Sequence, residues 1–309
     1  MTEDTTSGVV FDVSTMRPSS AGADQPALPA LVLVSTPIGN LQDVSSRARE
    51  ALAGTDVILC EDTRTSATLL RAHGIKTPTQ ALHEFNEAAR IPTLIEAMRA
   101  GRRFALISDA GTPLVSDPGY RLVRAVIEAG LPISGIPGPN AAVLALTLSG
   151  LPPQPFLFSG FLPPKSGARR TAFERLRGAE LGGLAATHVF YEAPHRLAAF
   201  LEDAAAIFGP RPAAVARELT KRFEEVRRAT LPDLAAYYAE HAPRGEICVI
   251  IGPPQAEEAP VETLDAALAQ ALTAMSLKDA AAAVAAAMGL PKKQVYARAL
   301  ALGRVAAPE

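Results

Sequence analysis

At 309 residues, with 48% hydrophobic side chains and a formal net charge of −2, the chain can fill sizeable cores but has no global nucleic-acid signature. Its two cysteines, Cys60 and Cys248, fall inside the apolar runs VILC and EICVII. They read as buried thiols in a reducing, cytoplasmic setting, not as a disulfide or a metal pair. No apolar run reaches membrane-spanning length, and the acidic, polar opening MTEDTTSG is unlike a secretory leader.

Residues 1–28, aperiodic and rich in Ser, Thr, Asp and Pro, are read as a disordered tail. From Leu31 short apolar runs alternate with longer amphipathic stretches. LVLVST (31–36), VILC (57–60), FALIS (104–108) and LPISGI (131–136) are predicted strands. The helical stretches between them end at Gly54, Gly74 and Gly101, the usual C-terminal stop. This alternation predicts a mostly parallel sheet buried on both faces, and therefore an α/β fold class. GLPPQP (150–155) is the expected domain break, giving a first α/β domain over 29–149 and a second over 150–253. In the second, FLFSGF, THVFY, AAVAREL and GEICVIIG are strand-like, with RRTAFERLRG, PHRLAAFLEDAAAIFG and PDLAAYYAEH as helices. An acidic Pro-rich linker then opens a C-terminal helical element over 254–309, in which LKDAAAAVAAAMGLPKKQVYARAL has the shape of a helical hairpin. That hairpin packs or dimerises on one reading, and touches nucleic acid through Lys292, Lys293 and Arg298 on the other.

Several common chemistries are missing. No lysine follows a glycine, so there is no phosphate-binding P-loop, and no two glycines have the G-x-G spacing of a dinucleotide fold. H-E-x-x-H and paired-cysteine zinc spacings are absent too, so no metal site is expected. Three Gly/Pro loops remain, each after a first-half strand: TPIGN (36–40), SDAGTPLVSDPG (108–119) and IPGPNAA (136–142). Loops at strand C-termini of a parallel sheet gather on one edge, where ligands bind. Asp109 is the expected ligand-facing carboxylate, whereas Asp117 is expected to cap a helix starting at Pro118. Glu61 and Asp62 of EDTR (61–64) are placed to cap the helix that follows VILC.

The second half supplies charge. GFLPPKSGARR (160–170) places Lys165, Arg169 and Arg170 at a strand-to-helix turn, and FYEAPHR (190–196) ends a strand at Glu192. ARELTKRFEEVRR (216–228) gathers Arg217 and Lys221 with three more arginines, partly offset by three glutamates. These basic runs begin at strand ends and read as a patch beside a cleft. His195 reads equally as a helix-start hydrogen bonder and as a catalytic group.

Taken in order, TPIGNLQDVSSRA, EDTR, SDAGTPLVSDPG, IPGPNA, GFLP-x-K, FYEAPHR and ARELTK resemble the bacterial small-subunit ribosomal RNA methyltransferases of the tetrapyrrole-methylase (class III) superfamily. The resemblance runs from about Leu31 to Arg304. It implies two α/β domains with S-adenosylmethionine in the cleft between them, a helical tail, a homodimer and no membrane association. It implies an activity as well: 2′-O-methylation of a cytidine in the decoding region of 16S rRNA, within the small ribosomal subunit. Carried over by position, Asp109, Ala110, Gly111, Thr112, Pro113 and Leu114 would wrap the cofactor. Pro37, Gly39 and Asn40 would line the floor with Gly138 and Pro139 nearby, and second-domain backbone would hold the adenine. Lys165, Glu192 and Lys221 are the candidate proton acceptors or positioners of the acceptor hydroxyl. Arg64, Arg169, Arg170 and Arg217, with Lys165 and Lys221, are the expected phosphate contacts. The alternative is a methyltransferase acting on a small tetrapyrrole precursor. Those relatives typically read G-P-G-D where this chain reads T-P-I-G-N.

Overall fold

The computed structural model describes residues 29–254, 261–273 and 275–305. The tail expected to be disordered at 1–28, and most of the acidic linker, lie outside the described residues. Contacts divide the chain into two units, Met1–Pro139 and Asn140–Glu309.

The first unit is built on a five-stranded sheet of β1 (Leu31–Val34), β2 (Val57–Cys60), β3 (Thr79–Ala81), β4 (Phe104–Leu106) and β5 (Ile133–Ile136). Their order is β3-β2-β4-β1-β5 and every pairing is parallel. Alternate side chains feed two cores. Leu31, Leu59, Phe104 and Leu106 pack with α3 (Glu84–Arg99) and α4 (Tyr120–Glu128). Val32, Val34, Ile58 and Cys60 pack with α1 (Ser46–Gly54) and α2 (Thr63–Ala72). Burial on both faces is why these strands read as unbroken apolar runs. β3, with the sequence TQA and only half-buried, sits at the edge and carries no such signal.

The second unit begins earlier than the Pro-rich break at 150. Helix α5 (Ala141–Ser149) lies against the second sheet, where the Cys248 thiol donates to the Ala141 carbonyl at 3.7 Å. Burial pushes that thiol up to about 12, which leaves it inert. The sheet comprises β6 (Phe156–Phe161), β7 (Thr187–Glu192), β8 (Pro212–Arg217), β9 (Glu225–Thr230) and β10 (Ile247–Ile251), in the order β6-β7-β10-β8-β9. Only β6 and β7 are parallel; the other three pairings are antiparallel. The face opposite α5 packs Phe190, Val215 and Val249 against α6 (Ser166–Leu181), α7 (Leu197–Phe208) and α8 (Leu231–Glu240). At the N-terminal end of β7, buried Glu180 accepts from Arg211 at 2.6 and 2.7 Å and bonds His188 at 2.8 Å. This network is structural.

Among its described residues the tail folds as three helices, one more than the expected hairpin: α9 (Val261–Leu272), α10 (Leu277–Met288) and α11 (Lys292–Val305). They share a small core of Leu264, Leu268, Ala281, Val284, Val295 and Ala299. Ser276 caps α10, Gly289 ends it in the left-handed region, and Arg298 is held by both oxygens of Asp265 at 2.7 and 2.6 Å.

Candidate functional site

Three loops lock together at the C-terminal edge of the first sheet. The amide of Thr36 donates to the Gly111 carbonyl at 2.8 Å and the Gly111 amide returns to Thr36 at 3.1 Å, an isolated antiparallel bridge. The Thr36 hydroxyl bonds the Ser108 carbonyl at 3.2 Å. Ser35 donates to Thr112 at 3.5 Å, and Thr112 donates to the Pro139 carbonyl at 3.1 Å. Contacts this close need missing side chains. A Cβ on Gly138 would lie 2.9 Å from Ser35 Cβ, and one on Gly111 would lie 3.3 Å from Ile38 Cγ2. Thus Gly111, Thr112 and Gly138 meet Ser35, Thr36 or Ile38 near Pro37, and Pro139 joins them through Thr112. Pro37 and Pro113 are buried, while Gly39, Asn40 and Ala110 face solvent. Asn40 caps the 3-10 turn Leu41–Asp43 by accepting from the Gln42 amide at 3.0 Å. Leu114 and Ser116 both hold left-handed φ angles, 73° and 68°, which costs each of them. Such strain concentrates at binding sites.

The two aspartates of this loop behave differently from each other. Asp109 lies beyond the end of β4, its residue exposed, and accepts from the Asp62 amide at 3.2 Å. Loss of water around its carboxyl raises its pKa. Asp117 does not cap a helix: α4 begins at Tyr120, with Gly119 as its N-cap at φ 116°. A side chain there would press within 2.6 Å of Leu106, so only glycine makes this entry. Asp117 is instead half-buried beside Glu61 and Asp109, and burial followed by these two charges raises it to about 7. Asp62 caps α2 and grips Arg64 at 2.7 Å; that bond holds its carboxyl down near about 2. Among the described residues, no group of three or more His, Cys, Asp or Glu could hold a metal ion.

A second cluster forms where β6, β7 and β8 end on one edge of the second sheet. Glu192, its side chain fully buried, accepts from the Ala193 amide at 2.8 Å and pairs with Arg196 at 3.0 Å. Burial raises its pKa, moderated by these partners. Arg196, in the FYEAPHR motif but not singled out from it, also donates to the Leu162 carbonyl at 2.7 Å and so ties the β6 and β7 ends together. Lys165 is exposed at the N-cap of α6, with Arg170 exposed one turn on.

The structure removes Arg169 from the expected phosphate-binding set. Its guanidinium is buried, held by Asp203 at 2.6 Å and by the carbonyls of Pro164 and Ala199 at 3.2 Å. Arg217 is turned onto Glu225 at 2.8 Å, though still partly exposed. Lys221 bonds Glu218 at 2.9 Å and Glu246 at 3.0 Å. Burial alone would lower its pKa, but these two carboxylates outweigh it and hold the ammonium above its ordinary value. A lysine so held is a poor proton acceptor.

These features define an α/β protein with glycine-pinned, interlocked loops on the edge of one sheet and a charged edge on the other. Residues 30–235 match the model of the tetrapyrrole (corrin/porphyrin) methylases, and residues 257–303 match that of the RsmI C-terminal HTH domain. The chain is 48% identical to the ribosomal RNA small subunit methyltransferase I of Mesorhizobium japonicum, over 90% of this chain and 94% of that protein. To the protein of the same name from Escherichia coli O157:H7 it is 42% identical, over 87% and 94%. Among solved structures, diphthine synthase aligns with a TM-score of 0.56 at 14% identity, over 72% of this chain and 89% of that one. The methyltransferase CobJ aligns at 0.54 with 21% identity, over 73% and 94%. The chain therefore belongs to the tetrapyrrole methylase family, in its ribosomal RNA small subunit methyltransferase I branch.

Proposed function

We propose that this protein methylates the ribose 2′-hydroxyl of a cytidine in the decoding region of 16S rRNA. It acts in the cytoplasm as a homodimer, on the small ribosomal subunit, with S-adenosylmethionine as donor. The observation that carries this reading is the relationship to proteins named as small-subunit rRNA methyltransferases along nine-tenths of the chain, helical tail included.

The first-sheet edge fits the donor. Gly111 and Gly138 let the three loops close on one another, and the exposed residue Asp109 stands at that edge with a carboxylate suited to ribose hydroxyls or an ammonium group. When bound, S-adenosylmethionine supplies an electrophilic methyl group on a cationic sulfur. The remaining work belongs to this chain. Holding two reactants in a near-attack pose is worth roughly 7–11 kcal/mol, against about 10²–10⁴-fold for a general base. Positioning therefore dominates. Lys165, exposed at the β6–α6 turn, is the side chain placed to orient the acceptor ribose. Buried Glu192 acts one step back, fixing Arg196 and through it the turn that carries Lys165. Arg64, Arg170 and the partly exposed Arg217 and Lys221 contact phosphates, which orients the RNA without reading its sequence.

Tritiated S-adenosylmethionine offered with unmodified 30S subunits, and separately with porphyrin precursors, tests the proposal. Label is expected in RNA, retained on a 2′-O-methylated cytidine after nuclease digestion. Label in the porphyrin and none in RNA would overturn it.

A further inference from the structure

The β8–β9 hairpin turns through residues 218–224, and most of its cations are already engaged within the protein. Arg217 and Arg227 share Glu225, at 2.8 and 2.9 Å. Lys221 is held by Glu218 and Glu246, and Arg228 donates to the carbonyls of Leu148 and Ser149. Arg222 is different. It is exposed, has no carboxylate partner among the described residues, and lies 5.5 Å from the centroid of the Phe223 ring. Phe223 itself is 64% exposed.

The backbone that carries this pair is strained and heavily pinned. Glu218 and Thr220 hold left-handed φ angles of 51° and 66°, a costly conformation for residues other than glycine. Two hydrogen-bonded turns follow one another. The Lys221 amide donates to the Glu218 carbonyl at 3.0 Å, and the Glu224 amide donates to the Lys221 carbonyl at 3.2 Å. The Glu224 carboxylate accepts from the Thr220 amide at 2.7 Å and braces both turns. The Glu218 carboxylate accepts from the Lys221 ammonium and the Glu246 amide, in space that Gly245 leaves free. Buried Leu219 roots the loop. Arg222 and Phe223 are the two central residues of the second turn, positions usually filled by Gly, Pro, Asn, Asp or Ser. The turn needs neither a guanidinium nor a ring there, so the fold does not account for the pair. Strain held in place by its surroundings concentrates at binding sites.

We propose that Arg222 and Phe223 form a docking tip for an unpaired nucleotide of the RNA substrate, its base stacking on the ring and its phosphate meeting the guanidinium. This rests on the RNA-methylation reading above. The two side chains call for one ligand with a flat apolar face and a negative charge beside it. An unpaired nucleotide carries both, and stacking combined with backbone contact is how proteins hold single strands. An acidic protein surface would answer the charge alone and leave the ring in water. The pinned backbone helps, because a tip already ordered loses little freedom on binding.

The test compares wild type with Phe223→Ala, Phe223→Trp and Arg222→Ala in steady-state methylation of unmodified 30S subunits. Removing one base stack should raise KM for 30S roughly 5- to 100-fold. KM for S-adenosylmethionine and the sedimentation coefficient should not change, and Phe223→Trp should stay close to wild type. Arg222→Ala should flatten the dependence of log affinity for 30S on log salt by about 0.7, the share of one phosphate. An unchanged KM for 30S in Phe223→Ala, or an unchanged salt slope in Arg222→Ala, overturns the tip. So does a changed sedimentation coefficient, which would give the ring to a second copy of this chain. A single-stranded oligoribonucleotide carrying 2-aminopurine, whose fluorescence stacking quenches, separates RNA from a ribosomal protein as the partner. Quenching by wild type and Phe223→Trp but not by Phe223→Ala supports the tip. Equal quenching by all three, or none by any, overturns it. A wild-type protein that puts no label into 30S would sink the functional reading alone, and the oligoribonucleotide would still decide the tip.

Discussion

Arg169 and Asp203 meet at 2.6 Å with side chains only 3% and 10% exposed, so neither charge has water to fall back on. Removing one partner from such a pair strands the other and typically costs 3–5 kcal/mol. Arg169→Ala is expected to lower unfolding free energy by about that amount in urea titrations, whereas Arg170→Ala, at an exposed neighbouring position, should change it by less than ~0.5 kcal/mol. Asp117 makes the opposite kind of statement. Its carboxyl titrates near about 7 in the folded chain against an ordinary 3.8, so the native state holds its proton more tightly than the unfolded state. Stability from this group is full below its unfolded pKa and falls as pH rises through its folded one. Asp117→Asn should therefore raise the ligand-free Tm at pH 8 and leave it nearly unchanged at pH 4. A variant equally stabilised at both pH values would show that the charge of Asp117 is not what matters.

Elements differ in how much of themselves they declare in sequence. The central strands of the first sheet were legible because burial on both faces demands unbroken apolar residues, as in Val57–Cys60. β9, reading EVRRAT, was not: it is an edge strand and only half-buried, so Arg227 and Arg228 look like a solvated charge run. That three loops gather at the C-terminal edge of the first sheet was legible through their Gly and Pro residues, though their interlock was not. The Ser35–Thr112–Pro139 chain links residues far apart in sequence. Arg169 was misread for the same reason, its partner lying 34 positions away. The interlock makes its own prediction. Gly138→Ala would bring a methyl within 2.9 Å of Ser35 Cβ, an overpacking that typically costs 1–3 kcal/mol. Because the strain falls on the loops proposed to hold the donor, calorimetry should show weaker S-adenosylhomocysteine binding with far-UV circular dichroism unchanged.

For the whole molecule, a net charge of −2 forces RNA affinity to come from local cations working against a mildly repulsive background. Five such cations remain at least partly exposed among the expected contacts: Arg64, Lys165, Arg170, Arg217 and Lys221. Neutralising five phosphates on single-stranded RNA corresponds to a slope of about −3.5 in log affinity against log salt. Affinity for unmodified 30S subunits should then fall roughly a hundredfold between 50 and 200 mM salt. Each exposed cation replaced by alanine should flatten that slope by about 0.7. Arg64 and Lys221 already have carboxylate partners, at 2.7 Å to Asp62 and 2.9 Å to Glu218, so RNA must compete for them. Their removal should flatten the slope less than removal of Lys165 or Arg170. Filter-binding isotherms of Lys165→Ala, Arg170→Ala, Arg64→Ala and Lys221→Ala across the salt series check that ordering. A flat response in wild type would mean that the basic strand ends do not meet phosphates, and that docking rests on apolar and hydrogen-bonded contacts instead.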